Sequence, residues 1–140
     1  MYLTRRAEFS AAHTLFNPEL SRDENERLFG KCGNPQGHGH NYVLEVTVKG
    51  TIDTKTGFFI NAETLKVIID REIVDLVDHK NINLEIDYFR EHVATCENMA
   101  KWIWGRLQNK IEGCTLHRVK LFETANNCVE YFGDENEGPR

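Results

Sequence analysis

His38 and His40 stand two apart and open a segment of regular alternation. In an extended chain that spacing turns both imidazoles to one side, which suits a shared metal ion. His13 closes an earlier segment with strand character. If the two segments pair as a hairpin across a long loop, the third imidazole approaches the other two. Three imidazoles around zinc leave a fourth position for water or substrate, the arrangement of a catalytic rather than a structural site. Taken alone, an HxH pair is more often a pair of ordinary surface or loop histidines, and ligation is the sharper of two readings.

Cys32 lies six residues before His38 in a loop punctuated by Gly and Pro. A nearby cation would lower its pKa and make thiolate available as base or nucleophile; a buried, inert thiol is the alternative. Asp78 and His79 follow a long amphipathic segment, where a histidine can equally serve to meet a helix dipole. Glu123 shares a face with Val119 and Leu121, so a carboxylate points where apolar groups point. Such an acid needs a structural cation or the donors of a ligand as partner. Trp102, Trp104 and the eight Phe are scattered along the chain and read as core, not as a stacking platform.

The elements that must hold these groups are legible from periodicity. Residues 2–12 read as a strand leading to His13, and 17–34 as a long loop or a loop with a helical turn. From His40 to Lys49, Tyr42, Leu44, Val46 and Val48 alternate with Val43, Glu45, Thr47 and Lys49, the pattern of a half-buried strand. Asn61 can cap a helix carrying Leu65, Ile68, Ile69, Ile73 and Leu76 and ending near Asp78. Thr95 can cap a second, with Met99, Ala100, Ile103, Leu107 and Ile111 on one face until Gly113. Residues 80–94 show no clear period. Alternation from Leu116 to Glu123 and a short run from Cys128 to Phe132 predict a closing hairpin. The order ββααββ predicts an α+β fold, a four-stranded antiparallel sheet with two helices on one face.

Composition bounds the rest. The chain has 140 residues, 40% hydrophobic and 28% charged, which predicts one domain over 1–133 and a mobile acidic tail over 134–140. A net charge of −5 with scattered basic residues argues against nucleic acid as a partner. No apolar run approaches the roughly 18 residues of a membrane span, and none follows Met1, so neither a membrane nor a secretory role is expected. Four cysteines without a CxxC pair suggest neither a zinc ribbon nor a disulfide scaffold and fit a reducing cytoplasm. A domain this small often gains stability by assembling.

Five ordered segments resemble the 6-pyruvoyl-tetrahydropterin synthase / 6-carboxy-tetrahydropterin synthase family: FSAAH at Phe9–His13, GKCGNPQGHGHNY at Gly30–Tyr42, LVDHKNIN at Leu76–Asn83, ATCEN at Ala94–Asn98 and FETANN at Phe122–Asn127. Together they span nearly the whole chain. The resemblance implies a tunnelling fold (T-fold), whose subunits join into a barrel, typically in a homohexamer built as a dimer of trimers with sites between subunits. It also implies Zn2+ on His13, His38 and His40, catalytic roles for Cys32, Asp78 and His79, a pterin anchor at Glu123, and substrate-binding roles for Thr95 and Cys96.

The implied activity is that of a phosphorus-oxygen lyase, a zinc-dependent 6-pyruvoyl-tetrahydropterin synthase acting on 7,8-dihydroneopterin triphosphate for tetrahydrobiopterin biosynthesis. Five residues separate Cys32 from His38, a gap similar to that of the pyruvoyl-forming type. The alternatives are a 6-carboxy-5,6,7,8-tetrahydropterin synthase of queuosine biosynthesis, which releases acetaldehyde from the same substrate, a non-catalytic pterin- or zinc-binding member, and a generic zinc hydrolase.

Overall fold

A strand with an apolar residue at every second position can bury one face and leave the other to polar groups, and the central strand of this protein does so. The computed structural model describes residues 1–133; the expected acidic tail, 134–140, lies outside them. The elements run β1 (Tyr2–His13), α1 (Arg22–Phe29), a 3₁₀ turn (Gly30–Gly33), β2 (His38–Lys49), α2 (Ala62–Ile69), a π-helical turn (Asp70–Val74) and α3 (Asp75–Val77). There follow β3 (Lys80–Asn81), α4 (Ile82–Glu85), α5 (Tyr88–Glu91), α6 (Cys96–Leu107), β4 (Thr115–Phe122) and β5 (Cys128–Tyr131). Among the described residues no helix is long and apolar enough to cross a membrane.

The four expected strands and their antiparallel pairings are present, in the order β3-β1-β2-β4-β5. The added edge strand β3 makes the sheet mixed, since it pairs with β1 in parallel at Ala11↔Lys80 and Ala12↔Asn81. Two residues are too few to show a period, so this pairing left no trace in the sequence pattern. The first long helix runs as expected from its Asn61 cap to Asp78, with α2, the π turn and α3 in succession. The second stops earlier than Gly113: α6 ends at Leu107, and Lys110 donates its N–H to the Leu107 carbonyl at 3.0 Å in a closing turn. Ile111 is nevertheless buried, delivered by that turn and not by the helix.

The core lies between the sheet and the two long helical segments. Tyr42, Leu44, Val46 and Val48 of β2 are fully buried together with Leu65, Ile69 and Ile73, and with Met99, Ile103 and Leu107 of α6. Each such aliphatic side chain contributes roughly 1.5–3 kcal/mol of burial free energy. An ion pair closes one side of the layer: buried Glu72 of the π turn accepts from Arg106 Nη2 of α6 at 2.7 Å.

Residues 14–34 form an ordered connection. Ser21 and Glu24 make a reciprocal capping box at the start of α1. Buried Asn25 donates its Nδ2 to the carbonyls of Asn17, Leu20 and Ser21, and its Oδ1 accepts from Asn17 N at 2.8 Å. The 3₁₀ turn is tied to the end of β1 because Leu15 N donates to the Cys32 carbonyl at 2.9 Å. Thr14 joins three segments: its N–H donates to Asn83 Oδ1 at 2.8 Å, its carbonyl accepts from Asn83 Nδ2 at 3.0 Å, and its hydroxyl donates to the Asn34 carbonyl at 2.8 Å.

The chain re-enters the sheet at Gly37, whose φ is +73° and where a Cβ would stand 3.1 Å from the His13 carbonyl oxygen. Only glycine takes that left-handed conformation without penalty. Gly37→Ala should therefore lower stability by about 1–2 kcal/mol, read as a lower urea midpoint at unchanged m-value.

Candidate metal and substrate site

The unbroken β1–β2 register sets His13 directly opposite His38 and Ala11 opposite His40. Period-two alternation then points His13, His38 and His40 to the helix-covered face. Their ligand nitrogens lie within 4.8 Å of one another, with His13 Nε2 and His38 Nε2 3.1 Å apart. A tetrahedral zinc with bonds of 2.0–2.1 Å spaces its ligand nitrogens by about 3.4 Å, so the triangle is close to the size such an ion requires.

The surroundings prepare these rings to coordinate. His13 is 1% exposed, and its Nδ1–H donates to the Ala94 carbonyl at 2.7 Å. That bond fixes the tautomer and leaves Nε2 as a lone-pair donor, the usual outer support of a metal-bound histidine. Burial, first among several causes, holds the pKa of His13 below the ordinary histidine value, and the same holds for His38. Both are thereby kept in the neutral form that binds metal. His40 Nε2 is buried without a hydrogen-bond partner in the protein, a cost that a coordinated cation would remove. The three residues fit a divalent ion of the zinc type with at least one position open to substrate.

Glu123 follows the last residue of β4 on the face of Leu121, as its spacing predicts. Its Oε1 stands 3.5 Å from His13 Nε2 and 3.8 Å from His40 Nε2. Thr95 caps α6, its Oγ1 accepting from Asn98 N at 3.2 Å. Cys96 begins that helix with a buried thiol that donates to the Leu121 carbonyl at 3.6 Å. Burial foremost, with Glu123 next, pushes the Cys96 thiol up to about 12, which makes it an inert group and not a nucleophile. The start of α6, the end of β4 and the imidazoles are thus linked through the Ala94 carbonyl, the Cys96 thiol and the Glu123 carboxylate.

The other candidate groups are placed elsewhere in the chain. Cys32 is exposed in the 3₁₀ turn. Asp78 and His79 grip the far edge of β1: Asp78 Oδ1 accepts from Ser10 N at 2.8 Å, and His79 N donates to the Ser10 carbonyl at 2.6 Å. His79 Nδ1–H donates to Asp78 Oδ2 at 2.9 Å, leaving Nε2 free to take up or give a proton. The Ser10 N–H first, and the His79 ring second, hold the Asp78 carboxyl below its ordinary value.

His79 itself adopts φ +59°, a conformation costing a non-glycine residue of order 1–3 kcal/mol and held by the two bonds to Ser10. Its side chain is 82% exposed. It lines an open cleft of about 450 Å³ together with residues of β1 and β2, among them Ser10, Ala12, His40 and Asn41. Among the described residues no hydrogen bond or ion pair links Cys32 to Asp78 or His79, or either of that pair to the three imidazoles.

Three supporting residues carry no signal in the sequence pattern. Ala94 and Ser10 act through backbone groups, which residue type does not disclose. Asn83 was within a quoted motif, yet its role depends on meeting Thr14, 69 residues away.

The family model described as 6-pyruvoyl tetrahydropterin synthase matches residues 2–134. Over 132 residues the chain is 47% identical to the 6-pyruvoyl tetrahydrobiopterin synthase of Pongo abelii and 46% identical to that of Homo sapiens, covering 94% of this chain and 91% of each relative. Among solved structures, it is similar to the 6-pyruvoyl tetrahydropterin synthase of Caenorhabditis elegans, with a TM-score of 0.91, 35% identity and 96% of both chains covered. Sequence and fold agree over nearly the entire length, and the chain belongs to the 6-pyruvoyl tetrahydropterin synthase family.

Proposed function

We propose that the protein is a zinc-dependent lyase that converts 7,8-dihydroneopterin triphosphate to 6-pyruvoyl-tetrahydropterin with elimination of triphosphate. The observation that carries this reading is Glu123 Oε1 standing 3.5 Å from His13 Nε2, a carboxylate beside three metal-ready imidazoles. The carboxylate would accept two parallel hydrogen bonds from the amino-pyrimidine edge of a pterin, with Thr95 and Cys96 at the start of α6 flanking the ring. That anchoring sets the three-carbon side chain toward His13, His38 and His40. Zn2+ held by these three would act as a Lewis acid that acidifies the carbons next to the side-chain hydroxyls.

The proton transfers fall to this chain's own groups. Cys32, as thiolate, would remove a proton from the side chain, and His79 would return or accept one through Nε2 while Asp78 orients its ring. Because His79 is largely exposed and, among the described residues, no contact within the chain joins it to Cys32, the reading includes a homohexamer, a dimer of trimers, in which a neighbouring subunit completes each site. The residues 1–133 are proposed to form one catalytic domain.

Incubation of the zinc-loaded protein with 7,8-dihydroneopterin triphosphate should yield 6-pyruvoyl-tetrahydropterin and triphosphate, followed by mass spectrometry with acetaldehyde assayed in the same tube. Release of acetaldehyde with 6-carboxy-tetrahydropterin would overturn the pyruvoyl assignment. Cys32→Ala should keep zinc and pterin binding and lose at least about 100-fold in kcat; an alanine variant with near-normal rate would remove the thiol from the mechanism. Metal analysis should find one zinc per chain. Dialysis against a chelator should abolish turnover and zinc should restore it, whereas full activity of metal-free protein would sink the zinc assignment.

A further inference from the structure

Tyr42 is 0% exposed, and its hydroxyl has no hydrogen-bond partner in the protein. Leaving a buried donor unpaired is costly, and replacing tyrosine by phenylalanine would avoid that cost without changing the ring. The hydroxyl is therefore more than packing requires. The ring is held firmly: it stacks on Phe9 at a centroid distance of 5.0 Å and meets the edges of His40 and His13 at 5.6 and 6.2 Å.

Glu123 is close to it in the fold. β2 and β4 pair at Leu44↔Leu121 and Val43↔Phe122, the last pair of the ladder, and Tyr42 and Glu123 are the next residue of each strand's run beyond it. Both side chains lie on the helix-covered face, and burial foremost, with the Glu123 charge next, holds the phenol above its ordinary pKa. Glu123 Oε1 meanwhile leans toward His13 Nε2 and His40 Nε2. Imidazole nitrogens committed as metal ligands offer their lone pairs and carry no proton for a carboxylate. Tyr42 is then the neighbouring donor, and a phenol with an ordinary pKa of about 10 keeps its proton at neutral pH.

We propose that Tyr42 is a positioning residue whose hydroxyl donates a hydrogen bond to the Glu123 carboxylate and fixes the orientation in which it receives the pterin edge. The inference rests on the pterin-site reading above. It assigns Tyr42 no proton transfer. Its effect is on ring binding, carried through Glu123.

The test is Tyr42→Phe in the zinc-loaded protein, beside Glu123→Gln and the double variant. Five quantities are measured: zinc per chain, thermal midpoint, Kd for 7,8-dihydroneopterin by fluorescence titration, and KM and kcat for the triphosphate substrate. Tyr42→Phe should keep its zinc and hold or raise its thermal midpoint. It should weaken Kd and KM by about tenfold, the loss of one hydrogen bond to a charged group, with kcat within about threefold of the parent. In the Glu123→Gln background the same change should cost less than about twofold, because the two residues act as one unit.

Unchanged Kd and KM in Tyr42→Phe would overturn the inference. So would an equal loss in both backgrounds, since the hydroxyl would then act independently of Glu123. A lowered midpoint with lost zinc would show a structural role instead. If the parent protein binds no 7,8-dihydroneopterin, the pterin-site reading itself falls and takes this inference with it.

Discussion

The site depends on one backbone constraint, the antiparallel register between β1 and β2. Twelve consecutive residues of each strand pair without interruption, and the last pair is His13 with His38. Side chains in a strand have a period of two, so a slip of one residue would send His13 to the opposite face from its partners. The register is secured from the other end by Phe9, Tyr42, Leu44 and Val46, which must enter the core together. Core burial and metal geometry are thus specified by the same alternation. Gly37 allows the chain to turn into β2 at the point of closest approach.

Electrostatics completes what register begins. Burial first, and the neighbouring imidazoles after it, favour the neutral ring at His13 and His38. Both effects suit the histidines to a cation. The Ala94 carbonyl resolves the tautomer of His13, and the Glu123 carboxylate stands beside the ring nitrogens. Cys96, buried against the Leu121 carbonyl, is held as a neutral thiol, whereas Cys32 sits exposed in a turn. Cys32 and Cys96 thus have opposite environments, one open to solvent and one enclosed.

The Asp78–His79 pair follows a different logic. It is clamped to the Ser10 backbone on the edge of β1, in a strained conformation that two short hydrogen bonds maintain. Its imidazole is largely open to solvent. Among the described residues no hydrogen bond or ion pair within one chain joins the pair to Cys32, and joining subunits is the simplest way to bring groups of different chains together. A small layered domain has surface to spare for such contacts.

Much of this was legible in one dimension. Period-two and period-3.6 patterns disclosed the four long strands and both long helices, since burying one face is a demand that residue order alone must meet. The His13, His38 and His40 set, and the placement of Glu123 on an apolar face, followed from the same alternation. Other features depended on encounters between distant segments. The two-residue β3, the Asn83 clasp on Thr14, the Ser10 grip on Asp78 and His79, and the Ala94 bond to His13 all use backbone groups or pairings with no periodic signature. The early end of α6 likewise reflects a turn that buries Ile111 where helix periodicity alone would have done so. Sequence by itself determined which residue types were available and which face each would occupy, because side-chain direction is a local property of an extended or helical chain. Only the tertiary structure decided which of those faces meet, because hydrogen bonds and burial between segments form only once the chain has closed on itself.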